Sequence, residues 1–267
     1  MNPASLEKLA LDGKVAIITG GTQGLGETIA HLFADRGAAG IVICGRTAKN
    51  GEKVKAALEK KGVKAVYVEA DLGKVDDARK VVEAADKAFG KVDALVNVAA
   101  ITDRGTIWDT SPELFDRMFA INVRAPFFLT QEAAKIMRRN KSPGTIVNII
   151  SMSGHGGQSF ITAYCASKGA LITLTKNVAN AYASKRIRCN GILTGWMDTP
   201  GENAIQQNFH GLDKDWLAKA EKAQPMGQLV KPDQVAGLAA YLLSPESGVM
   251  TGALVDYDQR VSGAYPE

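Results

Sequence analysis

Three residues near the middle of the chain have side chains suited to moving a proton at an alcohol or a carbonyl carbon. Tyr164 and Lys168 stand four residues apart within residues 162–183, whose apolar spacing predicts a helix, so both would lie on one helix face. Ser151 follows an apolar run at residues 145–150, which predicts a buried parallel strand, and ligands bind at the carboxyl ends of such strands. A phenol beside an ammonium, with a hydroxyl opposite, suits general acid–base chemistry. The alternative is a surface tyrosine beside a solvated lysine, because this spacing also arises by chance.

A glycine-rich stretch lies between the first predicted strand, residues 14–19, and a predicted helix at residues 25–36. Its glycines are Gly20, Gly21, Gly24 and Gly26. Glycines let the backbone approach a phosphate closely, and the free N–H groups and dipole of the following helix hold its charge. The order of strand, glycine-rich turn and helix therefore predicts a dinucleotide pyrophosphate site, with a simple tight turn as the alternative.

Arg46 stands just after the second predicted strand, residues 41–44, where a dinucleotide-binding fold contacts the adenosine ribose. An acidic residue there would hold the free 2′-hydroxyl of NAD, whereas a guanidinium can bind two oxygens of a 2′-phosphate. We therefore predict that NADP(H) is favoured as the cofactor, with NAD(H) as the alternative. An ordinary solvated arginine is the other interpretation of Arg46.

Strand and helix patterns alternate along the whole chain, which predicts a parallel sheet covered by helices on both faces. The predicted strands are residues 14–19, 41–44, 64–69, 93–97, 145–150, 188–193 and 253–257. The predicted helices are residues 25–36, 51–60, 75–89, 112–139 (in segments), 162–183 and 232–243. We expect a single α/β domain over residues 1–267, a doubly wound Rossmann-like fold with seven strands. The polar segment at residues 200–224 is helical in parts and is interpreted as a substrate lid.

Composition sets limits on partners and compartment. A formal net charge of +4 over 267 residues is too small to indicate a nucleic-acid or membrane partner. The three cysteines lack metal-ligand spacing, which favours buried thiols in a reducing compartment. No apolar run reaches the ~18 residues of a membrane span, and the first residues lack the apolar stretch of a signal peptide. We expect a cytoplasmic protein, and the three scattered histidines indicate no metal site.

Seven motifs, in order and spacing, resemble those of the classical short-chain dehydrogenase/reductase family along nearly the whole chain. They are Thr19-Gly20-x-x-x-Gly24-x-Gly26, Asp71-Leu72, Asn97-Val98-Ala99-Ala100, Asn122 within Ile-Asn-Val-Arg, Ser151, Tyr164-x-x-x-Lys168, and the segment at residues 190–199. Three positions depart from the family pattern: residues 97–100 lack its second Asn and final Gly, Thr194-Gly195 replaces Pro-Gly, and Asp256-Tyr257-Asp258-Gln259 replaces an Asp-Gly-Gly ending.

The resemblance implies roles for particular residues. Tyr164 would be the general acid/base, and Lys168 would bind the nicotinamide ribose and depress the tyrosine pKa. Ser151 would bind the substrate oxygen, and Asn122 would hold a water linked to Lys168. The implied cofactor contacts are Gly20, Thr22, Gln23, Gly24, Leu25, Gly26, Arg46, Asp71, Leu72, Asn97, Ala99, Tyr164, Lys168, Gly195, Met197 and Thr199.

Polar side chains near Ser151 bear on the substrate. The predicted substrate contacts are Ser151, Ser153, His155, Gln158, Tyr164 and Trp196. Polar groups beside one aromatic ring suit a sugar, a polyol or a small hydroxy acid. The alternative is that His155 and Gln158 face solvent, and His210 in the lid segment is a further candidate.

The function that we predict is NAD(P)-dependent interconversion of a small-molecule secondary alcohol and a ketone, or of an aldose and its lactone. Reduction of an activated C=C or imine in the same fold is one alternative, and a non-catalytic NADP-binding regulatory protein is another. The resemblance also implies a homo-oligomer, a dimer or tetramer.

Overall fold

One parallel sheet of seven strands forms the centre of the protein. The computed structural model describes residues 11–264; the first ten residues, part of the stretch in which we predicted no signal peptide, lie outside this range. The strands are β1 (Val15–Thr19), β2 (Gly40–Gly45), β3 (Lys64–Glu69), β4 (Ala94–Asn97), β5 (Gly144–Ile149), β6 (Ile187–Thr194) and β7 (Leu254–Tyr257). Their order is β3-β2-β1-β4-β5-β6-β7, with every pairing parallel. The predicted fold class is confirmed.

The central strands are continuous apolar runs because both of their faces are covered. All five residues of β1 are buried, as are all six of β5, which is the pattern of a parallel sheet between two helical layers. The strand order reverses between β1 and β4. In open α/β sheets this switch point creates a crevice at the carboxyl ends of the strands, where ligands bind.

Helices cover the sheet in two layers. They are α1 (Gly24–Asp35), α2 (Ala48–Lys60), α3 (Val75–Phe89), α4 (Pro112–Phe119), α5 (Ala125–Arg139), α6 (Thr162–Tyr182), α7 (Pro200–Asn208), α8 (Trp216–Lys222) and α9 (Pro232–Leu243). One apolar core joins α1, α2 and α9 to the sheet, and a second joins α3, α5 and α6 to it. These two apolar cores hold the helical layers against the sheet and so fix the walls of the crevice.

Two helix predictions needed adjustment. The helix predicted at residues 51–60 begins three residues earlier, at Ala48, with Thr47 as its N-cap. The segment at residues 112–139 is interrupted by one π-helical turn at Ala120–Arg124, which is uncommon in helices and often lies at functional sites. Within residues 11–264, no helix is long and apolar enough to cross a membrane.

Candidate active site

A cavity of about 800 Å³ opens at the carboxyl ends of the strands. It is lined by most of the residues that the sequence pointed to: Gly20, Thr22, Gln23, Gly24, Leu25, Gly26, Arg46, Asp71, Leu72, Ala99, Ser151, Ser153, Gln158, Tyr164, Lys168, Gly195, Trp196, Met197 and Thr199. Residues far apart in the chain thus meet in one cleft of the size that holds a cofactor and a small substrate.

The turn after β1 has the shape that a pyrophosphate needs. Gly20 and Gly24 have φ angles of +66° and +54°, in the left-handed region that favours glycine. A Cβ on Gly26 would collide with the carbonyl oxygen of Gly20, so only glycine fits there. The N-cap residue of α1, Gln23, makes no side-chain capping bond, which leaves the first N–H groups of the helix available to an anion. These residues fit a dinucleotide.

The departure at residues 97–100 does not disturb this turn. The Thr19 hydroxyl accepts hydrogen bonds from the backbone N–H groups of Val98 at 2.9 Å and Ala99 at 3.1 Å. A Cβ on Gly20 would lie 3.1 Å from the Ala99 Cα, so the two loops are packed closely. Ala100 itself lines the cavity. The backbone wall is therefore held in place by Thr19 without the second Asn and the final Gly of the family pattern.

Tyr164 and Lys168 lie side by side at the base of the cavity because both are on the same face of α6. The Lys168 Nζ is 5.6 Å from the centroid of the Tyr164 ring and donates to the carbonyl oxygen of Ile149 at 2.9 Å. Lys168 is only 2% exposed. The ammonium is therefore fixed between the Tyr164 ring and the carboxyl end of β5.

The depression of the Tyr164 pKa that the resemblance implies is not seen in the chain by itself and stays a prediction for the complex with cofactor. Burial raises the pKa of Tyr164 to about 12, and the nearby Ser151 hydroxyl acts in the opposite direction. Tyr164 still borders the open cavity, and that access to water moderates the effect of burial. Burial also lowers the pKa of Lys168 to about 8. At neutral pH the chain therefore presents a neutral phenol, the form that donates a proton.

The Ser151 hydroxyl belongs to a short relay of side chains. Its Oγ donates to Ser153 Oγ at 3.0 Å and accepts from the Ser153 backbone N–H at 3.1 Å. Ser153 Oγ in turn donates to Gln158 Oε1 at 2.5 Å. Two of the predicted substrate contacts thus hold Ser151 in position, and all three line the cavity.

Asn122 and Asn97 lie behind the cavity wall, not on it. Asn122, in the π-helical turn, is fully buried and exchanges two hydrogen bonds with the backbone of Ile101, each 2.9 Å long. Asn97 donates to Asn148 Oδ1 at 2.8 Å, and its own Oδ1 has no partner among the described residues. Asn122 thus braces the loop after β4, and Asn97 links β4 to β5. The water-holding role of Asn122 stays a prediction.

His155 is not brought to the cavity. It lies on the surface, where its Nε2 contacts Asp256 Oδ1 at 3.0 Å. This contact holds His155 against β7, at the edge of the sheet. His155 therefore fits the alternative of a solvent-facing residue, whereas Gln158 lines the cavity.

Sequence reasoning missed several residues of the cavity, most of them polar. Arg104, Phe160, Glu202, Gln206, Gln224 and Arg260 all line it, as does the weaker candidate His210. They come from loops and from the lid segment, where no periodicity marks a residue as facing inward. Among the described residues, no group of three or more His, Cys, Asp or Glu side chains could hold a metal ion.

Comparisons with known proteins agree with this geometry. A protein-family model described as enoyl-(acyl carrier protein) reductase matches residues 20–259. The chain is 33% identical over 255 residues to galactitol 2-dehydrogenase of Agrobacterium fabrum, covering 94% of this chain and 98% of that protein. It is 33% identical over 246 residues to the NADP-dependent (R)-specific alcohol dehydrogenase of Lentilactobacillus kefiri, covering 91% and 94%. The crystal structure of a short-chain type dehydrogenase/reductase from Mycobacterium marinum superposes with a TM-score of 0.85 at 30% identity, covering 95% and 97%.

Proposed function

Because this chain belongs to the classical short-chain dehydrogenase/reductase family and is an oxidoreductase of the alcohol dehydrogenase and ketoreductase type, we propose that it interconverts a polyhydroxylated secondary alcohol and its ketone. The observation that carries the proposal is the meeting of Tyr164, Lys168 and Ser151 in a cavity that also contains the glycine-rich turn. A sugar, a polyol or a small hydroxy acid is the substrate class that the polar lining supports. The earlier alternative of a non-catalytic binding protein is not retained.

The chain's own residues handle the proton. In reduction, the neutral Tyr164 phenol donates its proton to the carbonyl oxygen while the Ser151 hydroxyl holds that oxygen in place. In oxidation the same phenol oxygen receives the hydroxyl proton, and the Lys168 ammonium stabilises the phenolate that must form first. When bound, the nicotinamide supplies the hydride acceptor for an alcohol or the donor for a ketone. Gly20, Gly24 and Gly26 would hold the pyrophosphate of the dinucleotide.

The direct test is an absorbance assay for reduced nicotinamide with a panel of secondary alcohols, alditols and aldonic acids. We expect turnover with a polyhydroxylated compound and product analysis that gives its ketone. Formation of a saturated product from an activated C=C would instead support the alternative reaction, C=C reduction. That reaction is the one named in the description of the matching family model. Absence of turnover with every compound would contradict the proposed substrate class.

Cofactor preference gives a separate prediction. Arg46 is exposed at the cavity rim, and within the described part of the chain no carboxylate pairs with it, which supports contact with a 2′-phosphate. We expect Arg46→Asp to lower the ratio of NADPH to NADH affinity by about 10- to 100-fold, since a charge-assisted pair is replaced by repulsion. Fluorescence titration measures both constants.

The matched control for that charge change is Lys53→Asp, on the exposed side of α2 and outside the cavity lining. It should leave the affinity ratio near the wild-type value. An unchanged ratio in Arg46→Asp would show that Arg46 does not read the phosphate.

The segment at residues 200–224 is proposed as the lid. Glu202, Gln206 and His210 line the cavity from this side. Trp196, in the loop after β6, stacks on Trp216 of α8 with centroids 5.9 Å apart. This ring pair joins the lid to the body of the protein, so closure over a substrate would proceed by movement about the Trp196 loop.

A homo-oligomer is proposed from the surface of α4 and α5. Phe127 is 47% exposed and shares a surface groove with Phe119, Asp116 and Arg117. Apolar rings beside charges of both signs suit a self-complementary contact about a two-fold axis. We expect Phe127→Arg to reduce the mass measured by light scattering after size exclusion, and Val249→Arg, at a remote exposed position, to leave it unchanged. Equal masses for wild type and Phe127→Arg would contradict this contact.

A cytoplasmic location remains part of the proposal. The three cysteines Cys44, Cys165 and Cys189 are free thiols, which is the state expected in a reducing compartment.

A further inference from the structure

Arg104 lies in the wall of the cavity, in the loop that follows β4. Its Nη1 donates to the carbonyl oxygen of Thr102 at 2.8 Å, and its Nε donates to Nε2 of His210 at 3.3 Å. The guanidinium also lies over the Phe160 ring, 5.7 Å from the centroid. These three contacts fix the direction of the guanidinium, and they leave Nη2 without a hydrogen bond to any residue of the described chain.

The charge of Arg104 has no protein counterpart. Among residues 11–264 it forms no ion pair with a carboxylate, unlike Arg79 and Arg139. A half-buried guanidinium beside an aromatic ring loses hydration when a ligand fills the cavity, and an anionic ligand would restore a partner. After burial, which is the largest influence, the Arg104 charge is among the effects on the Tyr164 pKa and lowers it. Arg104 and Tyr164 line the same cavity, so one ligand in it can contact both.

His210 supports Arg104 from the lid segment. Because its Nε2 accepts the hydrogen bond from Arg104, the imidazole proton is assigned to Nδ1. His210 lines the cavity from the end of the lid segment. His210 thus orients the guanidinium of Arg104 from a separate segment of the chain.

Glu202 presents the opposite kind of group. Its Oε1 accepts from Trp196 Nε1 at 2.8 Å and from Gln206 Nε2 at 2.6 Å. No hydrogen bond within the described residues reaches its Oε2. Glu202 lines the same cavity as Tyr164 and Arg104. A carboxylate oxygen only accepts hydrogen bonds, which suits a ligand hydroxyl.

We propose that the substrate is a polyhydroxylated carboxylic acid whose carboxylate binds Arg104, which His210 orients, while one of its hydroxyls donates to Glu202. This subsite rests on the proposed function, and it fixes which end of the substrate points away from Tyr164. It narrows the substrate class from polyols in general to their acids.

A carboxylate fits this subsite better than a phosphate. A planar guanidinium and one carboxylate are matched in charge and in geometry. Glu202 and Asp258 also line the cavity, and their charges would repel the second negative charge of a phosphate monoester. Arg260, which is exposed, adds one cation to the same lining, but no hydrogen bond or ion pair with residues 11–264 orients it.

The test is direct binding of two matched pairs, galactonate with galactitol and gluconate with glucitol, to protein loaded with NADP⁺. The Tyr164→Phe variant is used so that no turnover occurs, and the fluorescence of Trp196 at the cavity reports binding. We expect at least one acid to bind about 10- to 100-fold more tightly than its alditol, as a charge-assisted contact allows. Adding Arg104→Gln should bring that ratio toward one, and Arg104→Lys should give an intermediate ratio because it keeps the charge without the fork.

The control is Arg138→Gln, which removes an exposed arginine of α5 remote from the cavity and should preserve the ratio. Retained NADP⁺ affinity verifies that each variant is folded. Equal affinities for acid and alditol in both pairs, or a ratio unaffected by Arg104→Gln, would overturn the subsite. Turnover assays of wild type on the same compounds separate the two proposals. Oxidation without preference for the acids refutes the subsite alone, whereas an Arg104-dependent binding preference without any turnover refutes the proposed function alone.

Discussion

Replacing Tyr164 by Phe is expected to lower kcat by about 10²- to 10⁴-fold, the usual contribution of a positioned general acid or base. The substitution removes one hydroxyl group and keeps the ring, which lies within 5.6 Å of the Lys168 ammonium. NADPH affinity should stay within about threefold of wild type, because the contacts proposed for the pyrophosphate belong to the turn after β1. Steady-state kinetics and a fluorescence titration together measure the two effects.

The matched control is Tyr182→Phe, at the other end of the same helix α6. Tyr182 precedes Lys185 by three residues in the sequence, so it imitates the catalytic pair at the wrong interval. It should leave kcat near the wild-type value. If Tyr164→Phe retained full turnover, the proton would have to come from another group, and the assignment of Tyr164 would be wrong.

The raised pKa of Tyr164 also bears on direction. With a pKa of about 12, the phenol in the chain alone is protonated at neutral pH and ready for reduction of a ketone. Oxidation needs the phenolate, and the charges that favour it are the Lys168 ammonium, the Arg104 guanidinium and a positive nicotinamide when that is bound. An acidic substrate bound to Arg104 would neutralise part of the positive charge that stabilises the phenolate. We therefore expect reduction of a keto acid to be the easier direction at neutral pH.

Local patterns were sufficient to predict the sheet and the glycine-rich turn. The continuous apolar run of β1 and the glycines after it act over a few residues, so their meaning does not depend on the rest of the fold. Ser151 was placed at the end of β5 by the same reasoning. The four-residue interval between Tyr164 and Lys168 became informative once the other motifs of the family were found in order around it.

The missed features depend on contacts between distant segments. The π-helical turn that carries Asn122 is fixed by hydrogen bonds to the Ile101 backbone, and no periodicity in residues 112–139 reports that partner. Arg104 and Glu202 lie in a loop and in the lid, where a side chain turns inward only because of tertiary packing. The same reason explains why the sequence left two positions open for His155, whose partner Asp256 is 101 residues away in sequence.

The buried ammonium of Lys168 leads to a prediction about stability as well as activity. Burial lowers its pKa from 10.5 to about 8, so folding disfavours the charged form. Below about pH 8 both the folded and the unfolded chain carry the proton, and the wild type bears the full cost of burying the charge. Between about pH 8 and 10.5 the folded chain has released the proton while the unfolded chain retains it, so stability rises with pH.

Lys168→Met lacks this group, so its free energy of unfolding should fall relative to that of wild type as the pH rises. We expect the difference between the two proteins to change by about 3 kcal/mol in favour of wild type from about pH 7 to about pH 10.5, at about 1.4 kcal/mol per unit of pKa shift. Urea unfolding at both pH values measures it, and other titrating groups cancel in the difference. Lys176→Met, on the exposed side of α6, should follow wild type at both pH values, whereas a constant gap for Lys168→Met would mean that the ammonium is not desolvated. The same variant should also lose turnover. If Lys168→Met is more stable than wild type at neutral pH, Lys168 is a residue that is kept for catalysis although its burial destabilises the fold.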